Sequence, residues 1–223
     1  MELGVIHQKN NKYALRILGK CGVFSAEDFK NLSELASQYG NGKLTATSRG
    51  TIEINGISEE NISLAYAKSK ELGLLPYGTG KIVRAVVACK GSECTKGFFD
   101  VHKVACNIEN EFLGIPVPKK FKIGVFGCPN SLGKAQSQDV GILPCFSQKG
   151  KFTIYIGGMM GKSPSLGFKL NHAISEENLI PAIKIILDFY CNNGNTGERF
   201  GATLKRLSPT LEENINNAIA SLK

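Results

Sequence analysis

Arg84-Ala-Val-Val-Ala-Cys89-Lys-Gly-Ser-Glu-Cys94 and, further on, Pro118-Lys-Lys-Phe-Lys-Ile-Gly-Val-Phe-Gly-Cys128-Pro-Asn-Ser-Leu132 decide how this sequence folds. Two cysteines follow an apolar, strand-like run. A third, followed by proline, ends a second such run. Thiolates held at strand ends by Gly- and Pro-rich turns are one way to grip an iron–sulfur cluster. The glycines let backbone N–H groups approach the sulfurs, and such hydrogen bonds tune the cluster.

Working outward, residues 82–88 predict a strand buried on both faces, interrupted only by Arg84. A half-buried arginine there needs an anion, either a protein carboxylate or a ligand. Residues 95–113 predict a helix carrying Phe98, Phe99, Val104, Ile108 and Phe112. Residues 121–126 predict the next strand. Lys120 and Lys122, two apart, leave its start on one face. Lysines there either protect a sheet edge or serve a site. Residues 140–143 predict a strand ending just before Cys145, and residues 152–156 another. The latter runs into Gly157-Gly158-Met-Met-Gly161, a loop whose backbone could approach an anion, though many strands end in glycines. Residues 175–190 and 211–222 predict helices.

Towards the N-terminus, residues 12–18 predict a strand and residues 25–39 a helix, with Ser25 and Asp28 as its N-cap. Short strands at 44–46 and 52–54 are joined by a turn at Ser48-Arg49-Gly50. Ser58 opens a second helix that Gly73 and Pro76 end. Strand–helix–strand–strand–helix is most of a ferredoxin-like unit. Residues 76–80, Pro-Tyr-Gly-Thr-Gly, mark a boundary, giving domains 1–78 and 79–223.

The chain has 223 residues, a net charge of +8 and seven cysteines. An odd cysteine count points to metal ligation or free thiols in a reducing compartment. No apolar run is long enough for a membrane span and no secretory signal opens the chain, so the expected location is cytoplasmic, with no membrane partner. The lysines are scattered, without interleaved aromatics, so no nucleic-acid partner is expected. The basic balance suits an anionic cofactor and substrate instead.

At these residues the sequence resembles the siroheme-dependent nitrite and sulfite reductases. Their cluster domain carries a close cysteine pair, here Cys89 and Cys94, and a distant Cys-Pro-Asn-x-Cys, here Cys128-Pro129-Asn130-Ser131-Leu132. The segments Thr47-Ser48-Arg49, Pro118-Lys-Lys-Phe-Lys122, Asp139-Val140-Gly141, Gly157-Gly158 and Glu198-Arg199-Phe200-Gly201 also look like family elements. The resemblance implies an α+β chain: a ferredoxin-like half-domain, then a nitrite/sulfite reductase-type 4Fe-4S/siroheme-binding α/β domain. It implies a 4Fe-4S cluster and siroheme as cofactors, and sulfite or nitrite as substrate. Arg49, Lys120 and Lys122 are implied as catalytic. Arg49, Arg84, Asn130, Gly157, Gly158 and Gly161 are implied as cofactor-binding. An electron-donor protein such as ferredoxin or a flavoprotein is the implied partner. Family enzymes combine two copies of this module, so a single copy here implies a homodimer.

The family's bridging cysteine is Leu132 in this chain. Leucine cannot ligate iron, which leaves Cys89, Cys94 and Cys128. Cys145, at the end of a short strand, is the candidate to return as a fourth ligand. The same residues also fit a non-catalytic siroheme or iron–sulfur electron-transfer or sensor protein with altered ligation. Cluster loss, an incomplete zinc set and a cofactor-free basic module are further alternatives.

Overall fold

The structure is a computed structural model that describes residues 2–130 and 134–222. It forms two units, Met1–Gly80 and Lys81–Lys223, each compact in itself. Leu132 lies outside the described residues.

In the first unit, Leu15 and Ile17 alternate with Arg16, and Ile52 and Ile54 with Glu53. Strands β2 (Tyr13–Leu18) and β4 (Thr51–Ile57) therefore pair antiparallel with the apolar residues in register, Leu15 with Ile54 and Ile17 with Ile52. On the other face Arg16 meets Glu53, with Nε and Nη2 donating to Oε1 at 2.9 and 2.6 Å. Helix α1 (Ala26–Tyr39) and helix α2 (Glu59–Glu71) cover the apolar face, where Leu32, Leu35 and Ala65 are buried with the strand residues. Ser25 caps α1 reciprocally: its hydroxyl accepts from Asp28 N–H, and Asp28 accepts from Ser25 N–H. Strand β3 (Leu44–Ala46) lies at one edge against β4. Strands β1 (Val5–His7) and β5 (Leu75–Pro76) both pair with β2. The run β2–α1–β3–β4–α2–β5, with β5 and β4 flanking β2, is a ferredoxin-like βαββαβ unit. Its fourth strand, β5, is two residues long, too short to show a period.

The second unit is built on the sheet order β10-β9-β8-β7-β6. Strands β6 (Val87–Ala88), β7 (Ile123–Val125) and β8 (Val140–Pro144) are parallel. Strand β9 (Lys151–Ile156) pairs antiparallel with β8, β10 (Phe168–Lys169) and β11 (Ile174–Ser175). Every residue of β7 and β8 is buried, as in parallel strands covered on both faces. Helix α3 (Val101–Phe112) crosses between β6 and β7. Helices α4 (Leu179–Asn193), α5 (Phe200–Leu207) and α6 (Thr210–Ala220) complete the unit. Phe121, Tyr190 and Phe200, all fully buried, meet with ring centroids 5.2–5.6 Å apart.

Two expectations are corrected here. The strand expected over 82–88 forms only at β6. Before it, Ile82 and Val83 make single bridges to Pro116 and Phe121, Arg84 N–H donates to Phe121 O, and the Val86 N–H turns to Glu109 Oε2 of α3 at 2.7 Å. The helix expected over 95–113 starts only at Val101. Asp100 caps it by accepting from Lys103 N–H, and also accepts from the Ser92 hydroxyl at 2.6 Å. Residues 95–100 are thereby left as a loop. Among the described residues no helix is long and apolar enough to cross a membrane.

Candidate metal centre and cation cluster

Cys89 follows β6 directly, and its N–H donates to Val125 O of β7 at 3.2 Å. A tight helical turn, Gly91–Glu93, carries the chain to Cys94. Cys94 N–H returns to Gly91 O, Gly97 N–H to Cys94 O, and Phe98 N–H to Gly127 O. Cys128 lies three residues beyond β7. Three glycines make this folding possible. A Cβ on Gly97 would sit 1.9 Å from the Gly91 carbonyl oxygen, and one on Gly91 would sit 2.2 Å from Val101 Cγ2. One on Gly127 would sit 3.2 Å from Gly91 Cα. Three backbones therefore close on one another beneath the first turn of α3.

The product is a cavity of about 210 Å³ whose wall carries Cys89, Cys94 and Cys128, with Lys90, Lys96 and Asn130 beside them. All three cysteines are free and part-exposed. Gly127 N–H donates to Cys89 Sγ at 3.3 Å, the kind of amide–sulfur bond that stabilises a thiolate ligand. Among the described residues no three His, Cys, Asp or Glu side chains converge on one point, as a lone ion requires. The three thiols line the one cavity. That donor set, with its amide and its two lysines, fits a bulky anionic thiolate cluster.

Cys145 is not part of this wall. Parallel pairing of β7 with β8 ends at Val125 and Ile142, so Cys128 and Cys145 stand equally far beyond the last pair. The Cys145 thiol, however, lies 3.3 Å from Ser147 Oγ, in a separate cavity of about 320 Å³ walled by Phe98, Phe146 and Phe152. Burial acts to raise this thiol, but hydrogen bonds from Ser147, Thr153 and nearby backbone outweigh it and hold it below the ordinary value.

The expected cations gather elsewhere. Arg84 N–H donates to Phe121 O. Phe121 is anchored among the aromatic rings, so Lys120 and Lys122, flanking it, leave the opposite face. Lys120 is half-buried and its pKa is lowered, first by burial, then by Arg199, Arg84 and Lys119. These residues precede β7, whereas Cys128 follows it, so the lysines and the thiols lie at opposite ends of that strand. Arg49 belongs to the first unit, in the β3–β4 turn, where its N–H and Thr51 both reach Thr47 Oγ1.

The glycine loop serves the fold first. A Cβ on Gly157 would meet Leu204 Cδ1 at 2.6 Å, and one on Gly158 would meet Gln136 O at 2.1 Å. Gly157 N–H donates to Asp139 O, and Met159 N–H to Ser165 O. Only Gly161, at φ +130, faces open space.

Asp139 was not among the expected site residues. It is fully buried, and its Oδ2 accepts both from Lys122 N–H at 2.9 Å and from Arg199 Nη2 at 2.7 Å. Its Oδ1 and Arg199 Nε have no hydrogen-bond partner among the described residues. Burial pushes the Asp139 carboxyl up to about 6, against the opposing pull of Arg199. The neighbouring Glu198 is held at about 2 by a two-pronged bond from Arg206, at 2.9 and 2.8 Å. The sequence signal for Asp139 and Arg199 was their place in two family-like segments, which gave no hint that they meet.

Comparison with known proteins settles the class. Residues 79–212 match the nitrite and sulphite reductase 4Fe-4S domain, and residues 6–72 the nitrite/sulfite reductase ferredoxin-like half domain. This chain belongs to the nitrite and sulphite reductase 4Fe-4S domain family.

Among its relatives, the coenzyme F420-dependent sulfite reductase of Methanocaldococcus jannaschii is 35% identical over 141 residues, covering 62% of this chain and 23% of that protein. The assimilatory-type sulfite reductase of Nitratidesulfovibrio vulgaris is 28% identical over 199 residues, 88% of each chain. The chloroplastic ferredoxin–nitrite reductase of Zea mays is 28% identical over 81% of this chain. The chain spans only 23% and 32% of the first and third of these relatives. The NirA protein of Mycobacterium tuberculosis shares the fold, with a TM-score of 0.76 and 22% identity over 96% of this chain and 41% of that one.

Proposed function

We propose that this chain is the cofactor-binding module of a sulfite or nitrite reductase, holding a 4Fe–4S cluster and siroheme. The observation that carries this reading is the glycine-built cavity with Cys89, Cys94 and Cys128 on its wall. The cluster would store and pass electrons, and siroheme would supply the iron at which the oxyanion is reduced. Cys89, Cys94 and Cys128 hold the cluster in this reading, with Asn130 at its edge. Arg49 and Arg84 pair with siroheme carboxylates, since arginine offers a planar fork. Gly161 is the open position of the loop beside that ring, while Gly157 and Gly158 set the loop's path. Lys120 and Lys122 meet the oxyanion and stabilise charge developing on it.

The partner is an electron donor such as ferredoxin or a flavoprotein, and the protein works as a cytoplasmic homodimer. One observation favours a second reading, an electron-transfer or sensor protein: Leu132 stands where a bridging thiolate is expected.

Co-expression with siroheme synthesis enzymes is expected to give coloured protein, and Arg84→Glu to lose the siroheme band. Colourless wild-type protein would overturn the proposal. Lys122→Ala is expected to keep the absorbance and to change the melting temperature little, because the backbone N–H of Lys122 still bonds Asp139 and only the side chain's electrostatic pull on that carboxyl is lost. Its steady-state turnover should fall by roughly two orders of magnitude. Parallel loss of fold and cofactor would make this lysine structural.

A further inference from the structure

The proposed reading gives Lys120 and Lys122 the oxyanion and leaves the pair beside them unused. Asp139 Oδ2 joins Lys122 N–H to Arg199 at the start of α5. Two further bonds fasten the same stretch of chain: Gly197 N–H donates to Pro118 O at 2.9 Å, and Lys119 N–H to the Tyr190 hydroxyl at 3.1 Å. Arg199 is thus held against residues 118–122 from three sides, with its side chain only 10% exposed. A buried ion pair of this kind is weak evidence for stability, because desolvation offsets most of its attraction. Its placement beside two lysines therefore invites another account.

We infer that the Asp139–Arg199 pair is a positioning unit for Lys120 and Lys122. Asp139 fixes Arg199 against the lysine segment, and Arg199 sets the charge balance from which Lys120 hands a proton to the oxyanion. This inference rests on the reductase reading. In the transfer, an Nζ–H bond of Lys120 breaks and an O–H bond forms on the oxyanion. The electron pair stays on nitrogen, and solvent later returns the proton. The charges that act on Lys120 are Arg199, just before α5, Arg84 from the segment before β6, its neighbour Lys119, and Asp139. Asp139 in turn faces Lys122 and Tyr190 of α4. Arg199 favours the neutral amine of Lys120, and Asp139 opposes it. A dianionic or monoanionic oxyanion arriving here meets several cations and one buried carboxylate, so attraction and proton supply come from the same arrangement.

The test is the titration of Lys120, read by competitive acylation with acetic anhydride across pH and mass spectrometry. This needs no loaded cofactor. In the double variant Asp139→Asn/Arg199→Gln, which leaves no buried charge unpaired, the Lys120 midpoint is expected to rise, because Arg199 lowers it more than Asp139 raises it. Arg199→Lys, which keeps the charge, should restore it. Asp139→Asn alone should move the midpoint the other way, so a single folded variant is enough to decide. A merely structural pair would alter melting and leave Lys120 unmoved, and an unchanged midpoint in the folded variants overturns the inference. Variants that do shift Lys120, together with siroheme-loaded wild-type protein that turns over no oxyanion, overturn the reductase reading instead, and the proton transfer with it.

Discussion

Gly97→Ala is expected to yield protein without bound iron and with its unfolding midpoint in urea sharply lowered. The new Cβ would lie 1.9 Å from the Gly91 carbonyl oxygen. That oxygen is backbone and already accepts from Cys94 N–H, so no side-chain rotation relieves the clash. Gly97 itself is exposed, so the cost is that of the backbone shift the clash forces, about 1–3 kcal/mol as for other small-to-large insertions. Cys94→Ser is the informative comparison. It removes a thiol that the proposed function makes a ligand but keeps the turn, whose bonds are backbone. It should therefore lose iron and keep most of its stability. Iron analysis and urea titration of the two variants separate the ligand from the scaffold that carries it. Full iron content in Gly97→Ala would show that the turn at 91–97 can move aside, and that the cavity is not set by its glycines.

What the sequence made legible follows from where its periodicity is strong. Alternation in β2 and β4, the Ser25–Asp28 cap and the helical spacing of α1 and α2 are local signals, and the first unit follows from them. Strands β1, β5, β10 and β11 have two or three residues each and exist because a longer neighbour recruits them. Composition also misleads where a side chain competes for the backbone. Glu109, well inside α3, takes the Val86 N–H and ends what reads as a longer strand. Asp100 takes the Ser92 hydroxyl and the Lys103 N–H, which delays α3.

The site divides in the same way. That Cys89, Cys94 and Cys128 line one cavity was foreshadowed in sequence by their places after strands and beside Gly91, Gly97 and Gly127, and their role as ligands belongs to the proposed function. Gly157 and Gly158 have the same appearance in sequence. There the space a Cβ would take is already occupied by Leu204 and Gln136, so these glycines serve close packing. Cys145 was a reasonable fourth ligand by chain distance, and its strand does end level with Cys128. Its thiol lies 3.3 Å from Ser147 Oγ, beside an aromatic cavity separate from the one the other three line. Asp139 and Arg199 are sixty residues apart in sequence, and nothing local in either segment foretells the contact.

That contact makes Arg199→Ala the substitution expected to cost the second unit most near neutral pH, about 3–5 kcal/mol, because it strands a buried carboxylate. The loss should shrink in acid, and the sign follows from the direction of the shift. Burial raises Asp139 from 3.8 to about 6 in the folded protein, so between these values the folded state binds the extra proton. Its contribution to stability is fully present below about 3.8 and is lost as pH rises through about 6. Glu198 behaves oppositely. Arg206 holds it at about 2 against 4.5 when unfolded, so its contribution is present above 4.5 and lost as pH falls towards 2. Stability followed by urea unfolding should therefore gain from Asp139 as pH drops from about 6 towards about 4, then lose from Glu198 below that. Asp139→Asn should flatten the first limb and keep the second, while Arg206→Gln should do the reverse. With Arg199 removed, Asp139 loses the charge that opposes its burial and holds its proton to higher pH, which carries the first limb upward. An unchanged first limb in Asp139→Asn would place that titration on another group and remove Asp139 from the account.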